Sequence, residues 1–140
     1  MKLKLIGNFG VGKTSINEKY FNNKIKSKHD LLNESNLSDI LINHNDNIIY
    51  ILDLSKPLMD YLYDLKLLIK FLLANSHKLN LKLFIIFNKS DLLNHSIKYV
   101  TYCNKLNELK RLLSENKLFE LFYFEFHLTS IWDHSLYGVR

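Results

Sequence analysis

The chain has 140 residues, of which 47% are hydrophobic, and a formal net charge of +5 that comes almost wholly from lysine. That length suits one domain, and that apolar share supplies a core, which excludes a disordered tail. The lysines are scattered rather than interleaved with aromatics, which argues against nucleic-acid binding. A single cysteine, Cys103, excludes an internal disulfide and fits a reducing compartment. It reads as a small, partly buried apolar residue rather than a nucleophile.

Met1 leads straight into Lys2-Leu3-Lys4-Leu5-Ile6, with no signal-type apolar stretch. These residues alternate Lys and apolar and read as a short strand ending at Gly7. Residues 13–22 read as a helix under the glycine loop. Residues 23–47 are polar and Asn-rich, with room for a short helix. Residues 47–53 form a continuous β-branched-rich run, expected of a strand buried on both faces. Ser55 then offers an N-cap and Pro57 sits in a first helical turn. Leu58, Leu62, Leu65, Ile69 and Leu72 follow at helical spacing. Residues 65–74, the most apolar run, are interrupted by Lys66 and Lys70 and are too few to span a membrane. A second buried strand is expected over 82–87, a helix over 102–115, an aromatic-rich strand within 118–128 and a last helix from 132 to the end. Neither terminus carries a lipidation signal, so a cytoplasmic protein with no direct membrane anchor is expected. Strands alternating with helices predict a mostly parallel sheet covered on both faces, a three-layer α/β fold.

The strongest chemical signal is Gly7-Asn8-Phe9-Gly10-Val11-Gly12-Lys13-Thr14, a full match to G-x-x-x-x-G-K-[ST] between a strand and a helix. Glycines let the backbone wrap so that consecutive N–H groups face phosphate oxygens, and the helix N-terminus adds its positive end. Lys13 supplies a mobile charge for the β- and γ-phosphates, the Thr14 hydroxyl a Mg²⁺ ligand, and Ser15 continues the phosphate contacts into the helix. Asn88-Lys89-Ser90-Asp91 follows the second buried strand. The Asp91 carboxylate can accept from the N1–H and exocyclic amine of guanine, which adenine cannot offer. The Asn88 amide would bond the base and brace the loop, and the Lys89 stem would lie along the ring. Thr129-Ser130-Ile131-Trp132-Asp133 follows the third strand, where a backbone N–H can meet the guanine carbonyl; Trp132 itself reads as packing.

These three motifs, in this order, resemble those of the small GTPases. Residues 129–133 with Ser135-Leu136-Tyr137, and Ile49-Tyr50-Ile51-Leu52-Asp53-Leu54-Ser55, resemble the Rag/Gtr GTPases in particular. The resemblance implies a Ras-like P-loop G domain binding GTP and GDP with Mg²⁺. It implies phosphate contacts from Gly7, Asn8, Phe9, Gly10, Val11, Gly12, Lys13, Thr14 and Ser15, and base contacts from Asn88, Lys89, Asp91, Ser130 and Ile131. It further implies a heterodimer with a second Rag/Gtr-like GTPase, recruited to lysosomal or vacuolar membranes through partners, reporting amino-acid supply to the TOR kinase complex.

The departures from that family are equally plain. There is no threonine between Thr14 and Thr101, no glycine between Gly12 and Gly138, and no glutamine anywhere. A first switch needs a Thr for Mg²⁺, and a second needs D-x-x-G; neither is recognisable. The sequence thus predicts a shortened single G domain over residues 1–140. It would lack the strand pair between the first helix and the strand at 48–52, leaving residues 2–6 at the sheet edge, and have no C-terminal dimerisation domain. Asp53 is a substitute metal ligand or a structural residue. His29, His44, His77, His95, His127 and His134 show no ligand spacing and read as surface or capping residues. Two functions remain: a Rag-like GTP-binding domain with weak hydrolysis, or a pseudo-GTPase that holds nucleotide or a partner without hydrolysis.

Overall fold

Two apolar runs set the frame of the protein. The computed structural model describes residues 3–8, 10–25, 27–30, 47–77, 80–94, 96–129 and 137–139. In it, strand β3 (Asn47–Asp53) is buried at every position. It lies parallel to β4 (Lys82–Asn88), in register from Asn47 opposite Lys82 to Asp53 opposite Asn88. Continuous Ile and Leu are what a strand covered on both faces requires, since neither side meets water. Strand β1 (Leu3–Gly7) pairs parallel with the other edge of β3, and β5 (Tyr123–Leu128) pairs parallel with β4. With β2 (Ser27–Asp30) and β6 (Tyr137–Val139) the sheet runs β2-β1-β3-β4-β5-β6, antiparallel only at β6.

Helices cover both faces. Helix α1 (Lys13–Phe21) brings Tyr20 and Phe21 over Leu3, Ile49, Phe84 and Ile86, lining an apolar recess of about 140 Å³ that His127 also borders. On the opposite face, α3 (Lys98–Glu115) buries Tyr102, Leu106, Leu109 and Leu113. Tyr102 meets Phe87 of β4 edge to face at 5.5 Å. Helix α2 (Leu62–Ala74) buries Leu65, Leu68, Ile69 and Leu72, a stripe at helical spacing. The expected three-layer, mostly parallel α/β architecture is therefore present.

The expectation at the outer edge is corrected. Strand β1 does not end the sheet: β2 pairs with it in parallel, from Lys4 opposite Ser27 to Gly7 opposite Asp30. Among the described residues one strand thus stands between α1 and β3 where a pair was expected to be lost. Two left-handed asparagines, Asn22 (φ 50°) and Asn23 (φ 59°), turn the chain back at the end of α1; Asn accepts this conformation more readily than most residues. Buried Asn17 then imitates a neighbouring strand for the returning chain. Its Nδ2 donates to the Ile25 carbonyl at 2.7 Å, and its Oδ1 accepts from the Ile25 N–H at 3.1 Å.

Other boundaries also differ. Residues 137–139 pair with β5 as a strand rather than forming a helix. The strand expected within 118–128 occupies Tyr123–Leu128, preceded by a helical turn, Leu118–Leu121, entered through left-handed Lys117. Pro57 caps a 3-10 turn (Leu58–Tyr61) that leads into α2, and Ser55 turns to Asp53 rather than capping a helix. Cys103 is exposed, one position past the buried Tyr102 on the outward side of α3.

Asn17→Ala should lower stability by about 1–3 kcal/mol, because the buried Ile25 N–H and carbonyl lose their partners. Urea unfolding followed by circular dichroism would show it as a lower midpoint at an unchanged slope.

Candidate nucleotide site

The C-terminal ends of parallel strands in an open α/β sheet gather loops at one edge, where ligands bind. Here β1 runs into the glycine loop, β3 into a turn at Asp53–Lys56, β4 into Asn88–Leu92, and β5 into Thr129.

The glycine loop is shaped for close approach. A Cβ on Gly7 would come within 2.7 Å of the Ile51 carbonyl oxygen. Gly12 precedes α1 with φ 97°, and a Cβ there would lie 2.5 Å from Asn88 Nδ2. Gly10, at φ 82°, would meet nothing within 4 Å. The loop is therefore tight where it touches the sheet and open at its crest. Helix α1 begins with no side-chain cap among the described residues, so its first N–H groups are offered at the loop, as anion binding at a helix start requires. The Lys13 ammonium donates to the Gly7 and Asn8 carbonyls, both at 3.0 Å. It is thereby held within the loop. Thr14 is exposed and Ser15 half-buried in the first turn of α1.

Asn88 joins the phosphate loop to the base loop. It is only 1% exposed. Its Nδ2 donates to the Val11 carbonyl at 3.0 Å, and its Oδ1 accepts from Thr129 Oγ1 at 2.9 Å. The Thr129 backbone adds two ties: its N–H reaches the Phe87 carbonyl at 2.9 Å, and its carbonyl accepts from the Ser90 N–H at 3.2 Å. Thus the three motifs read from the sequence meet at one amide. Lys89 is left-handed (φ 64°), and its ammonium donates to the Gly10 carbonyl at the crest of the loop.

Asp91 has its backbone in the 3-10 turn Ser90–Leu92; its side chain, together with Phe9, Ser130, Ile131, Trp132 and Asp133, lies outside the described residues. Asp53 is 3% exposed at the end of β3. Its Oδ1 accepts from the Ser55 N–H at 2.9 Å and Ser55 Oγ at 2.6 Å, and its Oδ2 lies 3.5 Å from Lys89 Nζ. Among the described residues no three His, Cys, Asp or Glu side chains gather as a metal site. One position escaped the sequence reading. Asp30 ends β2 directly opposite Gly7, the first residue of the phosphate loop. Asp30-Leu31-Leu32-Asn33 has no glycine in fourth place, so a search for D-x-x-G passes over it.

Residues 28–139 match the conserved region of the Gtr1/RagA G proteins. The chain belongs to this family. No curated protein matches it. The matched residues begin downstream of the glycine loop, so loop and family match are independent observations. Membership makes this a GTP-binding, GTPase-like protein and implies guanine nucleotide with Mg²⁺. The protein's own geometry fits that ligand: a loop in which Gly7 and Gly12 leave no room for a side chain, an uncapped helix start and a lysine held among the loop carbonyls.

The tightness of the loop predicts an ordering that thermal melting can check. Gly10→Ala faces open space and should cost only left-handed strain, about 1–2 kcal/mol. Gly12→Ala carries the same strain and also displaces Asn88, so it should melt at a distinctly lower temperature than Gly10→Ala.

Proposed function

We propose that the chain binds GTP and GDP through both loops and hydrolyses GTP slowly at most. The observation that carries this reading is the buried Asn88 amide, which fixes the guanine-type loop against the phosphate loop. In this reading the backbone of residues 7–15 wraps the phosphates, and Lys13 leaves the Gly7 and Asn8 carbonyls for β- and γ-phosphate oxygens. Lys89 flanks the base, Asp91 selects guanine, and the Ser130 and Ile131 backbone meets its carbonyl. Mg²⁺, when bound, neutralises phosphate charge. Thr14 would hold it directly, and Asp30, whose backbone ends β2 opposite Gly7, would assist. P-loop proteins commonly take that aspartate from a strand end near the loop, and Asp30 stands level with Gly7. Asp53 supports the metal reading less, since both its oxygens already face protein partners.

The absence of glutamine from the chain, and of any threonine between Thr14 and Thr101, favours slow hydrolysis and supports the second reading, a pseudo-GTPase. The proposal extends to a heterodimer with a second Rag/Gtr-like GTPase. That pair would be recruited from the cytoplasm to lysosomal or vacuolar membranes for amino-acid signalling to the TOR kinase complex. Family membership supports this, and no helix among the described residues is long and apolar enough to cross a membrane unaided.

Titration with fluorescent GTP, GDP and ATP analogues should give saturable binding of the guanine forms and much weaker binding of ATP. Equal affinity for ATP would sink the guanine reading. Lys13→Ala should abolish binding, and Asp91→Asn should relax the base preference. Single-turnover hydrolysis then separates a slow GTPase from a pseudo-GTPase. For the metal, chelation by EDTA should speed nucleotide release from the wild type. Asp30→Asn should release fast already and respond little; an undiminished response would remove Asp30 from the site.

A further inference from the structure

The turn that follows β3 is held from more directions than a surface connection needs. Asp53 stands opposite Asn88 in the sheet, and the Leu54 N–H donates to the Asn88 carbonyl at 2.9 Å. The Asp53 N–H reaches the Tyr61 hydroxyl at 3.1 Å, and the Lys56 N–H closes back on the Asp53 carbonyl at 3.2 Å. From α3, the Lys105 ammonium donates to the carbonyls of both Leu54 and Lys56. Burial pulls the Lys105 pKa below its ordinary value, and nearby Asp53 opposes that pull. For this half-buried lysine the two hydrogen bonds offset the partial desolvation.

All these ties fix one carboxylate. Ser55 occupies Oδ1 through its N–H and its hydroxyl, which restrains the Asp53 side chain and leaves Oδ2 facing Lys89 at 3.5 Å. Lys89 is constrained at both ends. Its backbone is left-handed, and its ammonium is shared between Asp53 and the Gly10 carbonyl. A carbonyl alone holds an ammonium weakly when a third of the side chain is in water; a restrained, buried carboxylate beside it favours one position for the cation. Lys89 therefore straps the base loop to the crest of the phosphate loop, and Asp53 anchors the strap.

We propose that Asp53 is a positioning residue that sets how long guanine nucleotide stays bound, by holding Lys89 across the phosphate loop. The proposal rests on the nucleotide-binding reading above. It assigns the Asp53 carboxylate to a lysine rather than to metal. With its stem fixed at both ends, Lys89 forms a wall beside the base, and release requires the strap to open. Asp53→Asn keeps the shape and an acceptor for Ser55 but removes the charge that anchors the ammonium.

The test is the dissociation rate of fluorescent GDP from the full chain, chased with excess GDP, alongside melting temperatures. Asp53→Asn should release GDP roughly threefold to tenfold faster, the range expected when one partly exposed ion pair is lost, with little change in association rate. In a Lys89→Met background, which releases fast itself, the Asp53→Asn change should add almost nothing. Ser55→Ala, which removes the hydroxyl bond to Oδ1 but keeps the backbone one and so only loosens the carboxylate, should speed release less, and again only while Lys89 is present. It decides the matter if Asp53→Asn fails to fold. Release at the wild-type rate in the folded variants, or equal effects with and without Lys89, would overturn the proposal. So would a wild-type release rate that responds to EDTA while that of Asp53→Asn does not, because that pattern makes Asp53 a metal ligand. A wild type that binds no guanine nucleotide would overturn the nucleotide reading itself; one that binds it while Asp53→Asn behaves as wild type would overturn this inference alone.

Discussion

The amide of Asn88 is the interaction on which the site depends. It bonds Val11, which lies 77 positions away in the chain, and Thr129, 41 positions away. An amide has one acceptor and one two-proton donor group, so a single side chain can satisfy both loops at once. At 1% exposure it could not be left unpaired, since a buried polar group without partners costs about 1–3 kcal/mol. That penalty ties the loops together: moving either one strands a buried polar atom. It also accounts for Gly12, where any side chain would occupy the space the amide fills.

The parallel sheet makes this meeting possible. Every parallel neighbour adds a loop to the same edge, so β1, β3, β4 and β5 deliver four separate sequence segments to one place. The core beneath carries little chemistry of its own. Leu5, Ile6, Ile48, Ile51, Leu52 and Leu83 are fully buried and hold the strand ends rigid, which a site assembled from loops requires.

Much of this was legible from the residues. The glycine loop announced itself because the phosphate cradle needs particular residue types at fixed spacing. Strands β3 and β4 showed as continuous apolar runs, and α2 as leucines and an isoleucine at helical spacing from Leu58 to Leu72. What escaped was set by distant partners. Strand β2 reads Ser-Lys-His-Asp, with neither alternation nor apolar weight; it exists because β1 has an edge to offer and Asn17 guides the chain to it. Residues 137–139 are too few to declare a strand by themselves, and their pairing with β5 makes them one. The ion pair between Asp53 and Lys89 could not be read either, because it requires knowing that β3 and β4 are neighbours and end level with each other. The absence of the switch motifs is a fact of the sequence, yet it concealed Asp30, whose place opposite Gly7 is a fact of register rather than of motif.

The span of the Asn88 bond has a consequence for how the protein comes into being. The phosphate loop precedes its partners in the chain: the residue that fixes it belongs to the fourth strand, and Thr129 follows the fifth. Contacts so distant in sequence form late, after the entropy of closing long loops has been overcome. The loop is therefore finished only after its later partners arrive, and a chain in which β5 has not docked would carry the whole glycine motif without a settled cradle. Nucleotide that binds only the finished cradle then stabilises the entire sheet by mass action, so the cellular supply of guanine nucleotide and the survival of the folded protein become linked quantities.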